Sequence, residues 1–465
     1  MPDRDPTTQI FEVSTLYGAA TLAAALDAGL FGPAAGARRI LLVSNNAAVP
    51  ETATRLDEMR GWPALAARFD EVRDYNREIA PHHPSLWTPN QADAPVWQRL
   101  LRQAWGLGDG RVELVVETVT AAPAKALTVL FPDADVHVYA DGLMSYGPTR
   151  DKLPGHLTCR IQRLLHLDLV PGLRPLLLTE YAVPAQVVPG DTFRAVLDEI
   201  SAGTEPLVAS PDAEPAATAG QSATGTPQPP TAVLLGQYLA ALNILSVAEE
   251  EELHARMLRG AAAQGHTSVL FKPHPTAPAR YSKALEKAAA DAGVTLTVLE
   301  RPMLAETLYG LIEPRLVVGC FSTAMMTAAT LYGIPVARVG TDLLLERLKP
   351  YQNSNRIPVT IIDACVRELD GPDRPDHPVR TAAELQPLVE TVGYCMQAER
   401  HRRLRPTAER WLREHLAADT RRYFKRKRLT ALELPGGITQ GRHVPAARTA
   451  VRALRKARRK LAGSN

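Results

Sequence analysis

Short runs of apolar, largely β-branched residues recur along the chain, separated by longer stretches of helical periodicity. In the first 200 residues the runs 9–14 (QIFEVS), 39–43 (RILLV), 112–117 and 136–139 read as strands, with helices over 19–28 and 123–130. Beyond residue 231 the runs 232–235, 269–271, 296–299, 316–318 and 336–339 repeat the pattern, with helices over 248–263, 280–292 and 324–331. Strands that are apolar throughout, alternating with helices, predict parallel sheets covered on both faces. Residues 388–427 read as helical with a charged outer face.

Residues 201–231 interrupt this rhythm. Of these 31 residues 24 are Ser, Thr, Ala, Gly or Pro, and none is Lys or Arg. Such a stretch buries too little apolar area to offset its ordering entropy and is expected to be a flexible linker. The expected organisation is an α/β fold with one Rossmann-like domain over 1–200, the linker over 201–231, and a second over 232–395. A helical region over 396–435 and a basic tail over 436–465 follow.

Composition sharpens that division. The 465 residues are 45% hydrophobic and 22% charged, which fits a soluble globular protein and excludes a disordered or collagen-like chain. The formal charge of +3 hides an asymmetry: residues 399–465 hold 20 Lys+Arg against 5 Asp+Glu, and the rest of the chain holds 33 against 45. An acidic body with a basic C-terminal stretch points to an anionic surface as partner of that stretch. With few aromatic residues interleaved among the cations, a membrane is the expected surface and nucleic acid is not. The four cysteines form no CxxC pair, and no apolar run approaches the ~18 residues of a membrane helix. The N-terminal MPDRDPTTQ has no apolar core, so a cytoplasmic protein, peripheral at the inner face of the cell membrane, is expected.

Three tracts carry candidate chemistry. Phe271–Pro275 (FKPHP) places Lys272 and His274 where a strand ends, the position at which open α/β sheets bind ligands. Two prolines, Pro273 and Pro275, stiffen the turn, and a cation beside an imidazole suits a phosphate. The run LVVGC is followed by Phe321-Ser322-Thr323 and a helix, so Ser322 or Thr323 is expected to cap that helix and add hydroxyl and amide donors. In the first half, VHVYADG places Asp141 at a strand end and Gly142 at a sharp turn. Asp141 there could act as general base on a hydroxyl. Taken singly, each tract also reads as an ordinary turn or cap.

Together, Asp141-Gly142, His274-Pro275 and Ser322-Thr323 resemble the ordered motifs of the bacterial alpha-2,8-polysialyltransferase family, which belongs to the sialyltransferases of GT-B fold. The Leu-Phe-Pro-Asp-Ala context at 130–134 and Glu12-Val-Ser14-Thr15-Leu-Tyr17 at the end of the first strand add to the likeness, which covers roughly residues 8–395. The resemblance implies two Rossmann-like domains facing across a cleft and inverting transfer of a sialic-acid-type sugar from a CMP-activated donor to a glycan hydroxyl. It also implies Asp141 as the base, His274 on the CMP phosphate as acid or electrostatic stabiliser, and Ser322 and Thr323 hydrogen-bonded to the same phosphate. Lys272 is added from its charge and position, and Glu306 as a candidate for the cytidine ribose. No cofactor and no metal are expected.

One position departs from the resemblance. Ala140 stands where the family carries a second acid. A flanking carboxylate raises the pKa of its neighbour, so the loss bears on base strength and acceptor class. It also favours an alternative reading, a catalytically silent nucleotide-binding module. A further alternative is a CDP-glycerol-type polyol-phosphate transferase, which would use a similar Lys-Pro-His-Pro and serine pair. Asp133-Ala134-Asp135 precedes its strand and is read as a turn on the far side from the cleft. His82-His83-Pro84 is read as an exposed loop, and His166, alternating with leucines, as facing away from the core.

Overall fold

The computed structural model describes residues 7–140, 142–202, 231–274, 281–299, 303–369 and 381–438. Asp141, Pro275, nearly all of the expected linker and nearly all of the basic tail lie outside the described residues.

The first half is a seven-stranded sheet built from β1 (Thr7–Val13), β2 (Ala37–Val43), β3 (Glu71–Asp74), β4 (Val112–Val116), β5 (Asp135–Ala140), β6 (Ile161–Leu167) and β7 (Ala185–Val188). The strand order is β3-β2-β1-β4-β5-β6-β7, and every pairing is parallel. The second half is a five-stranded sheet of β8 (Ala232–Leu235), β9 (Ser268–Lys272), β10 (Thr295–Val298), β11 (Leu316–Gly319) and β12 (Val336–Arg338). Its order, β10-β9-β8-β11-β12, is again wholly parallel. Two such sheets, each with its order reversing beside its first strand, form the GT-B pair of Rossmann-like halves that the sequence led us to expect.

Residue type explains why these segments are strands. β8 reads AVLL and β11 reads LVVG, and all of these residues are buried, as a central parallel strand covered on two faces demands. Helices start at recognisable caps. The hydroxyl of Ser246 and the carboxylate of Glu249 form a capping box that opens the helix Val247–Ala263. One apolar cluster runs from Phe11 through both halves to Leu434, and a second fills the other face of the first sheet.

The halves are joined by more than chain continuity. The helix Gly190–Ala202 packs on the helix Leu16–Asp27 of its own half and on the helix Ala305–Ile312 of the other. From the C-terminal side, Arg174 and the amide of Gln386 exchange hydrogen bonds of 2.8 and 3.4 Å, with Gln386 on the helix Ala382–Met396. Arg400 donates to the Thr149 carbonyl at 3.1 Å. The segment after residue 381 therefore braces the first half although it follows the second in sequence.

Three strands escaped the periodicity. β3, β6 and β7 have mixed burial or interspersed polar residues, and β3 and β7 are the two edges of the sheet. His166 was expected to face away from the core, but it is buried. Residues 164–167 of β6 are all buried, so both faces of the strand are covered there. The imidazole meets Tyr146 edge-on at 6.4 Å, and burial lowers its pKa. Residues 388–427, expected as one helical stretch, instead form three pieces, Ala382–Met396, Arg405–His415 and Arg426–Ala431.

Burial also sets the response to acid. His137, His254, His274 and His401 are each lowered to about 4, chiefly by removal from water. Unfolded, each would titrate near 6.5. Unfolding therefore takes up protons between these values, and the stability these groups contribute declines as pH falls from about 6.5 toward about 4. The thermal midpoint is expected to drop steadily between pH 7 and pH 5. A flat profile over that range would contradict the burial of these four imidazoles.

Candidate active site

In the second sheet the order reverses at β8, which lies between β9 and β11. The register pairs Leu235 with Lys272 and Leu234 with Val318, so the ends of the three strands lie level. Loops from adjacent strands thus open at one edge, the crevice where open α/β sheets take ligands.

Lys272 closes β9 and is buried. Its ammonium donates to the Pro273 carbonyl at 3.5 Å. Burial lowers its pKa, and the buried carboxylate of Glu306 opposes that shift. Lys272 and Glu306 are therefore electrostatic neighbours. His274, two residues on, lies with its ring centroid 3.9 Å from that of Tyr238 at 31°. Burial and then the positive charge of Lys272 hold its pKa at about 4, so the unliganded imidazole is neutral at pH 7.

The loop after β8 supports this pair. The amide of Gly236 donates to the Lys272 carbonyl at 2.8 Å. A Cβ at Gly236 would stand 2.8 Å from the Phe271 ring and 3.0 Å from the backbone of Pro273, so the loops meet there only through glycine. The carboxylate of Glu250 accepts from the amides of Leu239 and Ala240 at 2.8 and 2.9 Å, and His254 accepts from that of Gln237 at 3.2 Å. Buried side chains of the following helix thus hold Tyr238 in place. Tyr238 was missed from sequence. The signal that could have found it is Gly236-Gln237-Tyr238 directly after the central strand.

Ser322 caps the helix Thr323–Tyr332, accepting from the Ala324 amide at 3.3 Å. The N-terminus of this ten-residue helix, with its positive dipole end, lies at the same edge of the sheet as the end of β9. Tyr309 donates to the Ala324 carbonyl at 3.0 Å and ties the helix carrying Glu306 to the helix capped by Ser322. Lys272, His274, Glu306 and Ser322 accordingly belong to one set of adjoining loops and helix ends.

Thr323 does something different. Its hydroxyl accepts from the Leu143 amide of the first half at 3.3 Å. Gly142 has φ +81, and a Cβ there would stand 2.4 Å from Thr323 Oγ1. One turn along the same helix, the hydroxyls of Thr327 and Tyr17 lie 3.4 Å apart. The turn after β5 and the helix after β1 therefore both rest on the flank of the helix that presents Ser322.

On the first-half side, Thr15 caps the helix Leu16–Asp27 by accepting from the Gly18 amide at 3.0 Å, and Ser14 donates to Glu117 at 3.0 Å. Below them Glu12 is buried, accepting from the Ser44 hydroxyl and the Glu117 amide, each at 3.3 Å. Glu117 was another residue that sequence reasoning passed over, because a carboxylate at a strand end has no local signature. Asp135 opens β5 at the opposite end from Ala140 and accepts from Gln162 at 2.8 Å, which agrees with the reading of Asp133-Ala134-Asp135 as lying away from the cleft.

A family model described as alpha-2,8-polysialyltransferase matches residues 9–341. The chain belongs to the alpha-2,8-polysialyltransferase family. It is a glycosyltransferase. A search of curated protein sequences returns no significant match. Among solved structures, a glycosyltransferase from Rickettsia africae is 10% identical, with a TM-score of 0.38, covering 87% of this chain and 92% of its own. Acinetobacter baumannii MurG is 10% identical with a TM-score of 0.39, covering 87% and 95%. A Listeria monocytogenes protein described as a UDP-N-acetylglucosamine 2-epimerase is 13% identical with a TM-score of 0.43, covering 92% and 96%.

The contact of Gly142 with Thr323 yields a direct test. Gly142→Ala would add a side chain both in a left-handed backbone conformation, costing about 1–2 kcal/mol, and 2.4 Å from the Thr323 hydroxyl. The variant is expected to melt earlier than the native protein and to lose transfer activity. Unchanged stability and activity would show that the two halves do not meet at this point.

Proposed function

We propose that this family member is an inverting sialyltransferase, moving a sialic-acid-type sugar from a CMP-activated donor to a glycan hydroxyl without a metal. The observation that carries the reading is the juxtaposition of Lys272, His274 and the capped helix end at Ser322 on the edge of one sheet. Such a crevice suits a nucleoside phosphate. Its helix also bears on the turn that follows β5, the turn to which the base Asp141 belongs in sequence.

In this scheme the acceptor hydroxyl gives its proton to the Asp141 carboxylate as its oxygen bonds to the anomeric carbon. The bond from that carbon to the CMP phosphate oxygen breaks on the opposite side, and its electron pair leaves with CMP. Lys272 meets the phosphate by charge, and Ser322 with the helix end meets it by hydrogen bonds. His274 enters the cycle neutral, so in the free enzyme it offers an N–H donor and not a charged acid. Once the phosphate is bound, its negative charge raises the affinity of the imidazole for a proton. Glu306 holds Lys272 in place and is the candidate for the cytidine ribose. The basic residues beyond 436 are assigned to an anionic membrane surface, at the inner face of the cell membrane.

The reading is tested by thermal-shift titration with CMP, CDP, UDP and GDP, alongside transfer assays. A selective shift by CMP is expected. Asp141→Asn should keep that shift while losing transfer by about 10²–10⁴-fold, and Lys272→Ala should lose the shift itself. Wild-type transfer in Asp141→Asn would remove the assignment of the base, and a shift by UDP or GDP alone would remove the donor. CMP binding without turnover in the native protein would favour the silent-module reading that Ala140 raises. Transfer is expected to persist in chelator.

A further inference from the structure

Nine large apolar side chains are exposed among the described residues, and five of them fall within residues 49–100 of the first half. The densest group involves the loop after β3 and the helix Ala94–Ala104. Leu86 is 83% exposed, Val96 61% and Leu100 52%, with Val96 and Leu100 one turn apart on the helix. Leu101 faces inward, and Trp97 packs edge-on against Trp87 at 4.9 Å, which fixes the orientation of the helix. The outward stripe is therefore a second apolar face, beyond the one the core uses. A helix with a single buried face would carry polar residues at these positions.

Its surroundings say what it meets. The helix Ala94–Ala104 carries Arg99 and Arg102, with Asp93 as the one acid at its N-cap, and Arg77 is exposed on the short helix Tyr75–Glu78 that follows β3. Trp87 and Trp97 are half-buried between the protruding aliphatic groups and the protein body. Because the strands are parallel, the loop that leaves β3 opens on the same edge of the sheet as Ser14 and Ala140. Protruding aliphatic tips, indoles one layer behind them and nearby guanidinium groups are the ordering found in elements that lie in the interface of an anionic bilayer. Among the described residues no helix is long and apolar enough to cross a membrane, so contact would be at one surface only.

We propose that Leu86, Val96 and Leu100 insert into an anionic bilayer, with Arg77 and Arg99 at the headgroups, and so hold the flank of the first half that carries this helix against the membrane. The contact is separate from the basic C-terminal stretch and independent of the donor. An apolar insertion and a polybasic segment together give the two signals that stable peripheral attachment requires.

The tryptophans supply the test. Of the five in the chain, Trp62, Trp105 and Trp411 are buried, and none lies beyond residue 411. Fluorescence quenching by brominated acyl chains therefore reports on Trp87 and Trp97 and is blind to attachment through the C-terminus. The full-length protein is mixed with phosphatidylglycerol–phosphatidylcholine vesicles carrying brominated chains. Quenching is expected, and Leu86→Asn combined with Leu100→Asn should abolish it and lower partitioning by about tenfold. The thermal midpoint and transfer to a soluble acceptor should be unchanged in that variant. Vesicle binding with unquenched tryptophans would overturn the proposal in favour of the C-terminal stretch alone. Self-association that the same substitutions abolish, without vesicle binding, would assign the patch to a second copy of the chain.

Discussion

The helix Thr323–Tyr332 is the constraint on which the rest depends. Its first turn is capped by Ser322 and faces the crevice, while Thr323 and Thr327 on its flank meet Leu143 and Tyr17 of the other half. One rigid element thus ends at the sheet edge of its own half and makes a contact between the halves. The two roles are compatible because a helix end and a helix side are chemically distinct: the end carries the Ser322 cap, the side offers hydroxyls and methyl groups.

Electrostatics within the crevice follow from burial more than from any single pairing. Lys272 and His274 are both lowered by loss of water, and the cation lowers the imidazole further. The carboxylate of Glu306 opposes the shift of the ammonium. An incoming anion would relieve what burial has cost the two basic groups. The first half shows the opposite condition, with Glu12 buried beneath Glu117 and hydroxyls distributed around both. The acidic and basic sides of the cleft are therefore set by different strands of different sheets.

Much of this was legible in the chain. The apolar runs gave nine of the twelve strands with ends displaced by no more than about two residues, because central parallel strands need apolar residues on both faces and little else matches that pattern. Lys272, His274 and Ser322 could be located because each immediately follows such a run. Less visible were β3 and β7 at the sheet edges, where polar residues are tolerated. Glu117 was hidden because a carboxylate at a strand end has no local signature, and Tyr238 because its contact is with His274, distant in sequence.

By itself, then, the sequence determined the two parallel halves and the residues at the strand ends, since these depend on local pattern and spacing. Only the tertiary structure decided that Thr323 would serve the contact with Gly142 and Leu143 while Ser322 served the helix end. It alone brought residues after 381 back onto the first half, buried His166, and left Leu86, Val96 and Leu100 in the open. The reason is physical: burial and proximity belong to the packing of distant segments, and the same leucine pattern reads alike whether its face meets a core or the solvent.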